Sequence, residues 1–343
     1  MSSPAQTLRI VSSVGLPEAK LDVIRAAAPG AEVLNIPESQ EACLEHVAGA
    51  DIWLAHQGQV AHMPALGARL RWIQLSSAGA EQVFASPHIH ADVTYTNASG
   101  VQSVGMAEFT LGLLLSHAHR LPALTDLYAR RRWPSPSEVR AGLMADELFG
   151  MTLGLVGYGS INSALARRAA ACGMRILACK RDPQIHAVPR WNPAGAGDPE
   201  GRLPQAWYGP QQLSAMLPQC DVVVVAIPLT PATRGLVGES FLRAMRPTAR
   251  LINLGRGQIV QEPALLRALR EGWIAGAMLD VVSQEPLPAT SPLYAAPNLL
   301  VTPHISSAIK KYWERLAELF AENLRRYNAG QPLLNVIDRE KGY

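Results

Sequence analysis

Short apolar runs separated by amphipathic stretches set the rhythm of this chain. Within the first hundred residues LRIVSS, AEVLNI, DIWLAH, LRWIQLSS and DVTYTN read as strands, with helical patterns in several of the gaps. Such alternation predicts a parallel α/β layer. A longer apolar segment, Met106 to His117 within VGMAEFTLGLLLSHAHRL, predicts a buried helix ending near Pro122. After residue 150 the rhythm restarts with TLGLVGYG, MRILACK, DVVVVAIP, ARLINLG, IAGAMLDV and NLLVTPH, six strand-like runs that predict one doubly wound parallel sheet of the Rossmann kind. Residues 183–210 carry six prolines and no periodicity, and a long loop is expected there. The segment YWERLAELFAENLRRYNAG has leucines and aromatics at helical spacing and a helix stop at Gly330.

Composition narrows the class. A chain of 343 residues has room for about two domains of roughly 150 residues, each with its own core. Hydrophobic residues at 48% and charged residues at 17% describe a globular chain. The net charge is +3 and the one basic cluster, Arg130, Arg131 and Arg132, is short, so no nucleic-acid partner is expected. Cys43, Cys172, Cys179 and Cys220 have no CxxC spacing and no histidines at zinc-site spacing, which argues against a disulfide framework and a structural metal. His88 and His90, and His117 and His119, are each two apart, a spacing that on a helix turns the rings to different sides; no metal is expected. No basic n-region leads into an apolar h-region at the amino terminus, and no apolar run approaches the ~18 residues of a membrane span. A soluble, cytoplasmic protein is the expectation.

The stretch LGLVGYGSIN places Gly157 and Gly159 between a buried-strand pattern and a helix pattern. A strand feeding GxG into a helix lets backbone N–H groups and the helix N-terminus meet a pyrophosphate. The third small residue of the fingerprint is replaced by Asn162, which either pushes the helix outward or tucks its amide into a local hydrogen bond. Alone, the turn also fits an ordinary strand–turn–helix. At the end of the next strand, where an NAD site carries an acidic residue for the ribose hydroxyls, stand Lys180, Arg181 and then Asp182. Two cations suit the 2′-phosphate of NADP, and NADP(H) is the preferred expectation. The other reading keeps Lys180 and Arg181 as solvated charges, turns Asp182 back to the ribose, and leaves NAD(H) as the cofactor.

Three further segments, LINLGRGQIVQEPALLRAL, AMLDVVSQEPLP and NLLVTPHIS, resemble the three signature blocks of the D-isomer-specific 2-hydroxyacid dehydrogenase family. Upstream, LRWIQLSSAGAEQV is similar to that family's substrate loop, and DELFGMTLGLVGYGSI to its coenzyme turn. DVVVVAIPLTPATRGLV is similar to its fourth coenzyme-domain strand and the cofactor loop that follows. The resemblance implies catalytic roles for Arg256, Glu285 and His304. It implies cofactor contacts from Gly157, Tyr158, Gly159, Ser160, Ile161, Pro228, Thr233 and Asp280, the last toward the nicotinamide carboxamide, beside Lys180 and Arg181, which are candidates by their charge. Ala78 and Gly79, with Arg256, would bind the substrate carboxylate. Singly, each has a plainer reading: a loop charge at Arg256, a turn residue at Glu285, a capping or core histidine at His304, a helix cap at Asp280, a simple turn at Ala78 and Gly79.

The chemistry asks for these residue types on its own terms. Reducing a 2-oxo acid needs hydride at C2, a proton for the developing alkoxide, and a cation for the carboxylate and carbonyl. Imidazole is the side chain that exchanges a proton near neutrality, and an adjacent carboxylate favours its charged form. Guanidinium is fork-shaped and permanently charged. The expected activity is therefore reversible NAD(P)H-dependent reduction of a small 2-oxo acid, of the glyoxylate or hydroxypyruvate kind, to the D-2-hydroxy acid. Two alternatives stay open: a dinucleotide-sensing binding protein resembling the family's corepressor, and a dehydrogenase of formate or phosphite on the same fold.

The resemblance further implies two Rossmann-like domains: a discontinuous substrate domain from residues 1–103 and 301–343, an inserted coenzyme domain from 104–300, and an active-site cleft between them. Family members are typically homodimers joined through their coenzyme domains, with the 106–150 region in the contact. The chain departs from the family after His304, where ISSAI replaces glycine-rich text and puts Ser306 and Ser307 near the nicotinamide pocket.

Overall fold

The computed structural model describes residues 7–339 apart from 65, 87–89, 91, 188 and 189; His88 therefore lies outside the described residues. The chain divides into two compact units. One takes the residues up to Gln102, those from Ile309 onward and a short piece ending at Pro193; the other runs from Ser103 to Ala308 without that piece.

The first unit is a five-stranded parallel sheet of β1 (Arg9–Ser12), β2 (Glu32–Asn35), β3 (Ile52–Ala55), β4 (Trp72–Leu75) and β5 (Thr94–Thr96) in the order β2-β1-β3-β4-β5. The central strands IWLA and WIQL are buried at every residue, as a sheet covered on both faces requires. On one face the helices Glu18–Ala27 and Tyr312–Asn328 bring Leu21, Ile24, Leu316, Phe320 and Leu324 around Trp72. The Trp72 and Phe320 rings lie 5.1 Å apart. The buried Trp72 indole N–H donates to Thr96 Oγ1 at 2.8 Å, and that hydroxyl donates to Gln74 Oε1 at 2.8 Å. Truncating Phe320 to Ala at such a site costs about 3–5 kcal/mol.

The second unit is a seven-stranded parallel sheet: β6 (Thr152–Val156), β7 (Arg175–Cys179), β8 (Ala206–Tyr208), β9 (Val222–Val225), β10 (Arg250–Asn253), β11 (Gly276–Leu279) and β12 (Leu299–Val301), in the order β12-β11-β10-β9-β6-β7-β8. Six of these are the expected strands; β8 falls inside the expected loop 183–210. Its three residues AWY are only half-buried at the sheet edge and carry no alternation of their own, yet they pair in parallel with β7. The helix Ser103–Ala118 buries Met106, Ala107, Thr110 and Leu114 while Leu111, Leu113 and Leu115 stay partly exposed, so it is covered on one side rather than all round. Arg120, at φ 55, turns the chain into the helix Leu121–Ala129, which buries none of its residues.

The crossing back to the first unit falls after Ala308 and not near residue 300. The reason is local: β12 pairs with β11, and the turn after it hangs on Asp280 at the end of β11.

Candidate active site

Gly157, directly after β6, has φ 86, and a Cβ there would meet Ile227 Cγ2 at 2.5 Å and Ala226 O at 2.7 Å. Only glycine fits that turn. Gly159 caps the helix Ser160–Ala171, and nothing stands within 4 Å of where its Cβ would be. A tight first glycine, an open second one and a three-turn helix behind them make a cradle that fits a pyrophosphate. Asn162 is fully buried and tucks its amide inward, donating to Gly157 O at 2.6 Å. The asparagine thus braces the turn with a hydrogen bond where a glycine would have braced it by close packing. Ser160 is buried and Ile161 half-buried within the first helical turn.

Tyr158 leaves the turn in another direction. Its hydroxyl donates to Asp198 Oδ2 at 2.7 Å, and Asp198 also accepts from Arg202 N at 3.0 Å and Leu203 N at 2.9 Å. Burial, then the Asp198 contact, pushes the Tyr158 phenol above its usual range. Arg167, on the helix behind the turn, donates to Gly197 O at 2.7 Å. The described part of the proline-rich segment is therefore fastened to the glycine turn from both sides. Asp198 escapes sequence reading because nothing in its surroundings is periodic.

Lys180, just past β7, donates to Ile185 O at 2.5 Å and Ala187 O at 3.2 Å, with its ammonium 5.6 Å from the centre of the Trp207 ring. His186 stacks on the same indole at 4.7 Å. Arg181 is exposed, and Asp182 Oδ1 accepts from Gln184 N at 3.1 Å in a local turn. After β9, Thr233 donates to Pro228 O at 2.7 Å and accepts from Thr230 N at 2.8 Å, closing the loop that holds both expected residues.

The three expected catalytic residues follow β10, β11 and β12, at the carboxyl ends of the strands, where doubly wound sheets bind ligands. Asn253 closes the first turn: its amide donates to Arg256 O at 3.0 Å and its oxygen accepts from Gly255 N at 3.1 Å. Arg256 is half-buried. A Cβ on Gly257 would overlap the Val282 carbonyl carbon at 1.9 Å, so a missing side chain is what lets this turn lie against the backbone leading to Glu285. Glu285 Oε1 accepts from Val282 N at 3.1 Å, and Oε2 stands 2.8 Å from His304 Nδ1. The imidazole remains 45% exposed.

His304 occupies the left-handed region at φ 52. That conformation costs a non-glycine residue about 1–2 kcal/mol and needs support. Its N–H donates to Asp280 O and Thr302 O, both at 2.9 Å. The Asp280 side chain is 3% exposed and accepts from Thr302 Oγ1 at 2.7 Å, from Ile305 N at 3.0 Å, and from the N–H and hydroxyl of Ser306. Ser306 and Thr302 gave no sign of this role in the sequence beyond their nearness to His304.

In the first unit, the turn after β4 holds Ala78 and Gly79. Asn97 Nδ2 donates to Ala78 O at 2.9 Å and Ser77 Oγ to Gly79 O at 2.6 Å. Among the described residues no group of three or more His, Cys, Asp or Glu could hold a metal ion, and no helix is long and apolar enough to cross a membrane.

Comparison with known proteins gives the family of the chain. The sequence profile for the D-isomer specific 2-hydroxyacid dehydrogenase NAD binding domain matches residues 111–306. A glyoxylate reductase of Korarchaeum cryptofilum is 35% identical over 273 residues, 79% of this chain and 77% of the relative. A D-isomer specific 2-hydroxyacid dehydrogenase family protein of Aeromonas salmonicida superposes with a TM-score of 0.79 at 30% identity, covering 98% of this chain and 100% of that one. A dehydrogenase of the same family from Xanthobacter autotrophicus Py2, solved with NADPH and MES, gives 0.74 at 28% identity, covering 99% and 100%.

Proposed function

The chain belongs to the D-isomer specific 2-hydroxyacid dehydrogenase family, and from that premise we propose that it reduces a small 2-oxo acid, of the glyoxylate or hydroxypyruvate kind, to the D-2-hydroxy acid. The observation that carries the reading is the 2.8 Å contact between His304 Nδ1 and Glu285 Oε2 on neighbouring strand ends. Atoms balance as 2-oxo acid, NAD(P)H and a proton giving 2-hydroxy acid and NAD(P)⁺.

The Gly157–Gly159 turn would hold a nicotinamide cofactor, which would supply the hydride when bound. Tyr158, Gly159, Ser160 and Ile161 would offer backbone N–H groups to its pyrophosphate, Gly157, whose own N–H donates to Cys179 O at 2.8 Å, would supply the tight turn, and the Pro228–Thr233 loop would contact it further along. Glu285, by accepting from Nδ1–H, fixes the tautomer and leaves Nε2 of His304 to hand its proton to the carbonyl oxygen as it becomes an alkoxide. Arg256 holds the substrate carboxylate and polarises the carbonyl. The turn after β4 would offer the Ala78 and Gly79 N–H groups to a carboxylate. NADP(H) is the preferred cofactor: Asp182 Oδ1 accepts from Gln184 N in a local turn, while the Arg181 guanidinium suits a 2′-phosphate.

A homodimer through the coenzyme unit completes the reading. The helix Leu121–Ala129 buries nothing, and Tyr128 at 85% and Trp133 at 94% exposure are large apolar rings presented to a second copy.

The deciding experiment crosses NADH and NADPH against glyoxylate, hydroxypyruvate, pyruvate, phenylpyruvate and branched 2-oxo acids, followed by nicotinamide absorbance. Turnover of the smaller acids with NADPH favoured is expected. No turnover on any member of the set overturns the activity, and a uniform preference for NADH overturns the cofactor assignment.

A further inference from the structure

We propose that Ser306 is a positioning residue whose hydroxyl, acting on the buried Asp280 carboxylate, holds the turn that presents His304. The proposal rests on His304 being the acid/base of the reaction. It deepens that reading by naming what keeps the imidazole in place.

The Asp280 carboxylate is shared among four donors of one turn. Oδ1 accepts from Thr302 Oγ1 at 2.7 Å, Ile305 N at 3.0 Å and Ser306 N at 3.3 Å; Oδ2 accepts from Ser306 N at 3.1 Å and from Ser306 Oγ. Every donor comes from residues 302–306, the turn that carries His304. The second oxygen is served by Ser306 alone among the described residues. Both residues are 3% exposed, so bulk water does not stand in for a lost donor.

That arrangement explains how His304 keeps φ 52 without glycine's freedom. Its own N–H is tied to Asp280 O, and the residues after it are tied to Asp280's side chain. Asp280 thus clamps the turn by main chain and side chain together. Whatever else this carboxylate meets, four donors of the turn rest on it, so the geometry of the turn that presents His304 is tied to Asp280. The hydroxyl is the part of the clamp that glycine-rich text at this position lacks. With it gone, one oxygen of a buried charge keeps a single shared N–H, and the turn gains freedom where the ring must stay 2.8 Å from Glu285.

The test compares Ser306→Ala and Ser306→Thr with the unaltered protein. Steady-state rates with glyoxylate, the dissociation constant of NADPH by fluorescence, and the ring Cε1–H resonance of His304 at one fixed pH are measured, the resonance being identified by its loss in His304→Ala. In Ser306→Ala, kcat is expected to fall about tenfold with KM and Kd for NADPH within about twofold, and the His304 resonance to move or broaden. Ser306→Thr, which keeps the hydroxyl, is expected to recover most of kcat and the original resonance. An unchanged kcat, or a loss carried by NADPH affinity, overturns the proposal. Should the unaltered protein turn over no 2-oxo acid, the functional reading fails by itself; the resonance then decides, and an identical His304 signal in Ser306→Ala overturns the clamp.

Discussion

Glu285 holds one carboxylate oxygen 2.8 Å from His304 Nδ1 while its other oxygen accepts from Val282 N at 3.1 Å. The carboxylate is thus oriented by main chain before it orients the imidazole. His304→Ala is expected to lower kcat by about 10²–10⁴-fold, the usual worth of a positioned acid. Glu285→Gln, which presents a neutral amide to the ring, should cost at least about tenfold with little change in KM. Steady-state kinetics on one 2-oxo acid check both, and a Glu285→Gln enzyme with full kcat would remove the carboxylate from the mechanism.

Lys180 and Arg181 are adjacent but differently employed. Lys180 fastens the carbonyls of Ile185 and Ala187, whereas Arg181 is exposed. Lys180→Ala should therefore weaken NADH and NADPH to a similar degree by loosening the segment, and Arg181→Ala should raise KM for NADPH about tenfold or more while sparing NADH. The ratio of the two KM values in each variant is the measurement. Selective loss of NADPH in Lys180→Ala would reverse the roles.

Exposed rings on the arm that follows the helix Ser103–Ala118 give an assembly prediction. Sedimentation velocity should find a dimer, and the double change Tyr128→Glu with Trp133→Glu should raise its dissociation constant at least about tenfold. A single monomeric species at every concentration of the unaltered protein would refute the interface.

His117 gives a prediction on pH. Burial pushes its imidazole below the ordinary value of 6.5, Arg250 and Arg120 push the same way, and Asp146 opposes them. The unfolded chain therefore takes up this proton first as pH falls. Stability is lost from 6.5 downward until the folded histidine also charges, then levels off. Urea midpoints between pH 7 and about 5 should fall less steeply in His117→Gln than in the unaltered protein. Parallel slopes would show that His117 is not the group responsible.

The central strands were legible because they are apolar runs with little alternation, the mark of parallel sheets buried on both faces; VVVV at 222–225 is the clearest. AWY at 206–208 was not, since an edge strand needs no such run. At the site, Arg256, Glu285 and His304 could be picked out by residue type and block order, because the chemistry restricts what can stand there. The supports could not. Tyr158 and Asp198 stand forty residues apart, with Asp198 in the stretch that has no periodicity, and the Ser306 hydroxyl has meaning only once Asp280 is seen to be buried beneath it. Asn162 lay between: its type was odd in the fingerprint, but only its bond to Gly157 O says how the oddity is accommodated.

The helix Tyr312–Asn328 puts Leu316, Phe320 and Leu324 into the core that Leu21, Ile24 and Trp72 begin. During synthesis at about 5–20 residues per second, those partners leave the ribosome roughly 10–60 s apart, with the whole seven-stranded unit emerging between them. Through that interval the face of the first sheet is covered by the helix Glu18–Ala27 without its second helix, and apolar surface around Trp72 stays exposed. The second sheet, whose strands arrive in one unbroken stretch, can close early and wait.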